Sequence, residues 1–332
     1  MHYLLSIESS CDDTSAAIIA DGKVLSNVIA TQEVHKTYGG VVPELASREH
    51  IQKILPVVKA ALDKANITKN ELSAVAVTKG PGLLGSLIVG VTFAKSLAQG
   101  LNIPIIEVQH MHAHVLANFA EEPVPSFPFI CLTVSGGHTQ LVLVKTPTQM
   151  EILGQTIDDA AGEAFDKSGK VMGLPYPAGP YIDKLAKEGE VCHQFSSSKI
   201  KGLDFSFSGL KTSFLYYLRD QMKIDDQFIE REKNNLCASI QENICQTLIS
   251  KLKLAAKTHE VTSLAMAGGV SANSRLRTLF NEMCAEENYE GHIPHISFCT
   301  DNAGMIGMAA WYKYLEKDFA DLSMAPEPRM KF

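Results

Sequence analysis

Phe129-Ile130-Cys131-Leu132-Thr133-Val134-Ser135-Gly136-Gly137-His138-Thr139-Gln140-Leu141-Val142-Leu143-Val144-Lys145 is the stretch on which the fold turns. Two runs rich in apolar and β-branched residues flank a Ser-Gly-Gly-His break, which reads as strand, tight turn and returning strand. A second turn at Thr146-Pro147-Thr148-Gln149 and a third strand over Met150 to Thr156 complete a meander. The start of the chain repeats the arrangement. Tyr3 to Ser9, the turn Ser10-Cys11-Asp12-Asp13, Thr14 to Ala20, the hairpin Asp21-Gly22 and Lys23 to Ala30 make an earlier meander.

Outward from the meanders the two halves continue alike. In the first, helical periodicity over Pro43 to Ala65 leads to a strand Ala74 to Thr78, a Gly-rich loop Lys79 to Ser86 and a helix Leu87 to Gln99. A strand Ile103 to Val108 then opens a helix bearing His110, His112 and His114. In the second, a helical region from Asp158 and a long insertion precede a helix Asn235 to Thr258 and a strand Ser263 to Ala267. The loop Gly268 to Asn273, a helix Ser274 to Glu287, a strand His295 to Thr300 and a helix opened by Asp301 follow. Both halves read βββαβαβα, so the pattern predicts two homologous α/β lobes rather than a solenoid. The first lobe is expected over 1–125 and the second over 126–332, with a helical insertion at about 157–260 and the C-terminal helix packing back on the first lobe. The Pro-rich stretch Glu121 to Pro128 is the linker. Paired lobes of this kind, actin-like and ribonuclease H-like, facing each other across a nucleotide and metal cleft, are the architecture of the actin, Hsp70 and sugar-kinase superfamily, by analogy of fold.

Composition narrows the functional classes. With 332 residues, 45% hydrophobic and 20% charged, the chain is expected to be a globular protein large enough for two domains. The N-terminus has no basic leader, and the apolar run Leu83 to Ala94 is short and Gly-interrupted, so a cytoplasmic protein with no membrane association is expected. Seven cysteines without a C-x-x-C pair read as buried reduced thiols, Cys11 in its polar turn excepted. A net charge of −7 argues against gripping nucleic acid by a broad basic face. RNA would need a partner or a small patch such as Lys199, Lys201 and Lys211.

Several residues carry chemistry. His110 and His114 stand four apart and share a helix face, whereas His112 points about 200° away from His110. Aligning the two halves sets Asp301 opposite His110, and two histidines with one carboxylate suit iron(II) or zinc. The turn Ser135-Gly136-Gly137-His138 lets backbone amides converge on an anion, while its counterpart carries Asp12 and Asp13, suited to a cation or a proton. Gly80 to Ser86 lacks the lysine of a P-loop, so its glycines serve packing or line the cleft. Asn273 reads either as a helix cap or as a contact to a ribose or purine edge. Asp158 and Asp159 read as solvated acids at a helix start, and Asp166, deeper, as a contact to ribose hydroxyls.

Taken together these motifs resemble the TsaD family, also called Gcp, the tRNA adenosine threonylcarbamoyltransferases. The resemblance runs through Ile7 to Thr14, Gly80-Pro81-Gly82, His110 to His114, Ser135 to Thr139, Asp159 to Lys167, Tyr176 to Pro180, Phe205 to Lys211, Gly268 to Asn273 and Thr300-Asp301-Asn302. It implies a metal, iron(II) before zinc, on His110, His114 and Asp301. It also implies an adenylate ligand (threonylcarbamoyl-AMP, AMP or ATP) lined by Thr133, Val134, Ser135, Gly136, Gly137, His138, Asp166, Gly179, Asp183 and Asn273. The implied reaction moves a threonylcarbamoyl group to the adenosine 3′ of the anticodon; the sequence names no base for the amine proton, and Asp12 and Asp13 are the candidates. Implied partners are tRNA, an inactive actin-like paralogue forming a heterodimer, and a small P-loop ATPase. The family has Gly before the second histidine where this chain has Ala113, and the tail Glu327 to Phe332 differs from many relatives. Two alternatives stand beside this reading. A metalloendopeptidase would need Glu after the first histidine, where Met111 stands; an actin-like small-molecule kinase would not need His110 and His114.

Overall fold

The computed structural model describes residues 1–196 and 200–332, so Lys199 of the small lysine patch lies outside the described residues. The chain forms two compact units. Unit 1 comprises Met1–Val124, Thr146–Met150 and Pro294–Phe332; unit 2 comprises Pro125–Lys145 and Glu151–Ile293.

Unit 1 is built on the strands β1 (Tyr3–Glu8), β2 (Asp13–Ala20), β3 (Lys23–Thr31), β4 (Leu72–Gly80) and β5 (Ile105–Gln109), in the order β3-β2-β1-β4-β5. β1 pairs antiparallel with β2 and parallel with β4, and β4 pairs parallel with β5. The alternation along β1 separates two faces. Leu5 and Ile7 join Ile18, Val75 and Val77 in a core closed by Val57 and Val58 of α1 (Pro43–Ala65) and Val91 and Ala94 of α2 (Leu84–Leu101). Ser6 and Glu8 point the other way, where α3 (His110–Leu116) and α9 (Ala303–Leu315) pack; the Ser6 hydroxyl donates to the Ala303 carbonyl at 2.7 Å. α2 runs longer than its periodicity suggested, and by length and composition it is apolar enough to cross a membrane. One third of it is buried, and it packs against β4 and α1.

Unit 2 repeats the sheet. β6 (Phe129–Val134), β7 (Thr139–Thr146), β8 (Gln149–Gln155), β9 (Ser263–Ala267) and β10 (Glu290–His292) lie in the order β10-β9-β6-β7-β8, the same order as unit 1 when each half is numbered from its own start. β6 pairs antiparallel with β7 and parallel with β9. The helices α4 (Ala161–Val171), α5 (Gly179–Ala186), α6 (Ser208–Met222), α7 (Phe228–His259) and α8 (Ser274–Glu287) complete the unit. Phe165, Phe205, Phe207, Phe214 and Phe280 are buried in one apolar core with Leu132 and Leu141 of the sheet.

Three local expectations are corrected. The strand expected at His295 to Thr300 is a single 3-10 turn over Ile296–Phe298, whose start is capped by the His295 side chain accepting from the Ser297 amide. The last strand of the half is β10, and Pro294, which has no N–H to offer a ladder, follows it closely. Asp158 and Asp159 are not simply solvated. Asp158 accepts from the Ser206 hydroxyl and the Phe207 and Ser208 amides at the start of α6, and Asp159 pairs with Lys167 at 2.8 Å and Lys211 at 3.0 Å. Finally, Cys192 is exposed, whereas Cys131, Cys237, Cys245, Cys284 and Cys299 are buried as expected.

Candidate functional site

The short helix α3 starts where β5 ends because Gln109 caps it, its side chain accepting from the His112 amide at 2.8 Å. One turn of helix then sets His110 and His114 side by side, ring centroids 4.7 Å apart and planes at 87°. Asp301, just before α9, meets both: its Oδ1 lies 3.1 Å from His114 Nε2 and 3.5 Å from His110 Nε2. The ligand-type atoms of the three residues all lie within 4.8 Å of one another. His112 stands apart, its ring edge-on to Phe332 at 4.4 Å, and burial pushes its imidazole down to about 4.

Glu8 anchors this group from β1. It is fully buried; its Oε2 lies 3.0 Å from His110 Nδ1 and accepts from the Thr78 hydroxyl at 2.6 Å, while Oε1 accepts from the Ser10 amide. Burial opposes its charge and Asp301 adds to that, but His110 first and then Ser10 hold it below the usual carboxylate range. For Asp301, whose side chain is 28% exposed, burial likewise raises and the two histidines outweigh it, holding the carboxyl well below its ordinary value. His110 is driven well above the ordinary imidazole value: burial acts against it, and the two carboxylates prevail. Two carboxylates around two imidazoles leave negative charge in a buried place, and Nε2, Nε2 and Oδ1 converge. That donor set fits a divalent ion of iron or zinc type. Reading the sequence did not assign Glu8 a role. The signal was there: an acid sharing a strand face with Ser6 inside an otherwise apolar run.

Asp12 and Asp13 follow β1 in the same unit. Burial pushes Asp13 up to about 7 against a hydrogen bond from Thr31, and its Oδ1 is buried without a hydrogen-bond partner. The glycines at the end of β4 and just beyond it serve close approach: a Cβ on Gly80 would meet the Glu327 carbonyl at 1.9 Å, and one on Gly82 the Ser10 carbonyl at 2.5 Å. The C-terminal tail is thereby laid along β4, Glu327 donating from its amide to the Lys79 carbonyl at 2.8 Å.

In unit 2 the residues singled out for a nucleotide gather around the end of β6. Thr133 and Val134 are buried there, and Ser135 closes the turn, its amide donating to the His138 carbonyl at 2.8 Å and its hydroxyl accepting from the His138 amide at 3.1 Å. Cβ positions at Gly136 and Gly137 face open space. A Cβ on Gly162, in the first turn of α4, would lie 2.5 Å from the Ser135 carbonyl. Gly268, at φ +86°, passes Val134 so closely that a Cβ would lie 2.4 Å from that carbonyl. Asp166 accepts from the Ala178 amide at 2.7 Å, at the start of α5 where Gly179 stands; burial raises its carboxyl against the Ala178 and Gly179 amides. Asp183 accepts from the Ser274 amide and hydroxyl at 3.2 and 2.7 Å. Asn273 caps α8, accepting from the Leu276 amide at 3.0 Å and donating to Gln241 at 2.6 Å. Its side chain is thus engaged within the protein, as the helix-cap alternative required.

Fold and donor sets define an actin-like α/β protein with a two-histidine, one-carboxylate cluster in one unit and a glycine-lined strand end in the other. The sequence profile of TsaD, tRNA N6-adenosine threonylcarbamoyltransferase, matches residues 23–308. Proteins of that name from Christiangramia forsetii and Phocaeicola vulgatus are 55% and 57% identical, over 99% and 96% of this chain and 98% and 96% of theirs. The chain belongs to the TsaD family. Among solved structures, component A of the Acidaminococcus fermentans (R)-2-hydroxyglutaryl-CoA dehydratase is similar at a TM-score of 0.56 and 15% identity, covering 96% of this chain and 100% of that one. HypF of T. kodakarensis is similar at 0.62 and 12%, covering 95% of this chain and 48% of that one. At such identities these two likenesses speak for the fold alone.

Proposed function

We propose that this chain transfers the threonylcarbamoyl group of threonylcarbamoyl-AMP to the exocyclic amine of the adenosine immediately 3′ of the anticodon, in tRNAs reading codons that begin with A. The observation that carries the reading is 55% identity over 99% of the chain to a tRNA N6-adenosine threonylcarbamoyltransferase. Neither the endopeptidase nor the kinase alternative is favoured by the names its relatives carry.

In the reaction, the adenosine amine forms a bond to the carbamoyl carbon and the bond from that carbon to the phosphate oxygen breaks. AMP leaves with the electron pair, and the amine proton passes to a base. His110, His114 and Asp301 would hold one divalent ion, iron(II) in preference to zinc. Such an ion supplies a positive charge that polarises a carbonyl. Glu8, ionised, accepts the Nδ1 proton of His110 and so leaves Nε2 as the donor atom. Asp13 and Asp12 are the candidate bases, and a carboxyl pushed up to about 7 by burial suits proton transfer near neutral pH. The adenylate would lie on the Thr133 to His138 strand end, where open Gly136 and Gly137 leave backbone amides accessible to phosphate. Asp166, Gly179, Asp183 and Asn273 shape that site by holding the starts of α5 and α8.

Binding of tRNA rests on partners in this reading. The net charge is −7 and Lys211, one of the three lysines of the patch, is paired with Asp159, so this chain by itself offers limited counterion release. An inactive actin-like paralogue, joined as a heterodimer, and a small P-loop ATPase would supply the remaining surface, in the cytoplasm. Threonylcarbamoyl-AMP carrying labelled threonine, supplied with unmodified tRNA, this chain and those partners, tests the proposal. Label in the tRNA that depends on this chain is expected; absence of label under those conditions overturns it.

A further inference from the structure

A second set of metal-type donors converges in unit 2, away from any residue assigned above. Cys192, His193 and Glu232 bring a thiol, an imidazole and a carboxylate within 4.8 Å of one another. The first two lie on the loop after α5, and its backbone is pinned to α7 by Ser239, whose hydroxyl accepts from the Cys192 and His193 amides at 3.2 and 3.1 Å. Glu232 comes from the first turns of α7.

His193 is the decisive group. Its side chain is 10% exposed, set among Tyr217 and Phe228, with ring centroids 5.6 and 5.9 Å away. Nδ1 lies 2.9 Å from the Tyr217 hydroxyl, whereas Nε2 is buried and has no hydrogen-bond partner. A buried imidazole nitrogen without a partner carries an uncompensated desolvation cost unless something meets it. The nearest acid does not, because Glu232 Oε2 stands 3.6 Å from Nε2, beyond hydrogen-bond range. That separation matches another arrangement. Two donors each about 2.1 Å from a tetrahedral ion lie about 3.4 Å apart. Glu232 is steered by Asn235, which donates to its Oε2 at 2.9 Å, and by Arg231, which donates to its Oε1 at 3.3 Å.

We propose that Cys192, His193 and Glu232 bind a soft divalent cation of zinc type, with a fourth position open to water. Tyr217 positions the imidazole by accepting the Nδ1 proton, so that Nε2 presents its lone pair. On binding, the Cys192 thiol gives up its proton and its sulfur bonds the ion; His193 and Glu232 bind without releasing one. The ion ties the loop after α5 to α7.

Cobalt(II) titrated into the metal-stripped, reduced full-length chain distinguishes this site from the His110 cluster, which contains no sulfur ligand. A sulfur-to-cobalt charge-transfer band is expected, its final intensity that of one thiolate-bound cobalt per chain and reached within two added equivalents, the other equivalent being taken by the His110 cluster without such a band. The band should vanish in Cys192→Ser, an exposed position whose change leaves the core intact, and persist in Cys11→Ser and in His110→Ala. Tyr217→Phe should weaken binding about tenfold, as loss of a group orienting a ligand does. Absence of the band, its survival in Cys192→Ser, or its loss in Cys11→Ser overturns the proposal. Loss of the band says nothing of tRNA modification, so the two readings stand or fall separately.

Discussion

Glu8 Oε2 lies 3.0 Å from His110 Nδ1, so a fully buried acid on the first strand fixes the ring of a histidine on the third helix. Glu8→Gln keeps the shape and removes the charge, and metal affinity is expected to fall about 10–100-fold. Competition with a chromophoric chelator measures it. Affinity unchanged from the parent would mean that Glu8 only fills space.

Within the histidine helix the roles divide by direction. His110→Ala, His114→Ala and Asp301→Ala are each expected to bind one metal equivalent fewer than the parent and to lose transfer, while His112→Ala retains the parent's metal content, because His112 faces Phe332. Elemental analysis of the four purified variants decides. Loss of metal from the His112 variant with retention in the His110 variant would reverse the assignment.

Gly162 offers a backbone test of the nucleotide strand end. A Cβ there would come within 2.5 Å of the Ser135 carbonyl, so Gly162→Ala must push the Ser135 to His138 turn away from α4. Adenylate affinity by calorimetry should drop about tenfold or more while metal content stays that of the parent, a difference of about 1.4 kcal/mol. Equal affinity would separate that turn from the ligand.

Asn273→Ala is expected to cost stability first. The lost cap of α8 is worth about 0.5–2 kcal/mol, and Gln241 loses its partner. Asp166→Ala should act on the ligand as well, since it frees the start of α5 at Gly179, and a weakening of about 1.5–3 kcal/mol is expected. Thermal unfolding and calorimetry on both variants separate the effects. Asn273→Ala with parental stability and lost affinity would place its amide on the ligand.

Chelation tests the charge balance of unit 1. Metal-stripped protein should lose transfer and regain it with iron(II) or zinc, in the parent but not in Asp301→Ala. Full activity after stripping would remove the metal from the reaction.

Much of this protein is determined by local sequence. The doubled meander follows from strand runs broken at Ser135-Gly136-Gly137-His138 and Asp21-Gly22, and helix α1 spans the periodic segment Pro43–Ala65 because apolar spacing and its proline at the start act within a few residues. The pairing of His110 with His114 is likewise a helix property, set by 3.6 residues per turn. Tertiary structure alone decided the rest. No pattern along the chain shows that Glu8, Thr78 and His110 meet, since β1, β4 and α3 are joined only through a folded sheet. Asp301 reaches the histidines although no strand precedes it: α9 packs against β1 and α3, and that packing, not a mirrored strand-to-helix junction, carries the carboxylate there. Cys192 and Glu232 stand far apart in sequence and converge because Ser239 pins the loop to α7. Short-range geometry is written in neighbouring residues, whereas a site assembled from distant ones exists only once burial of the apolar faces has brought their strands and helices together.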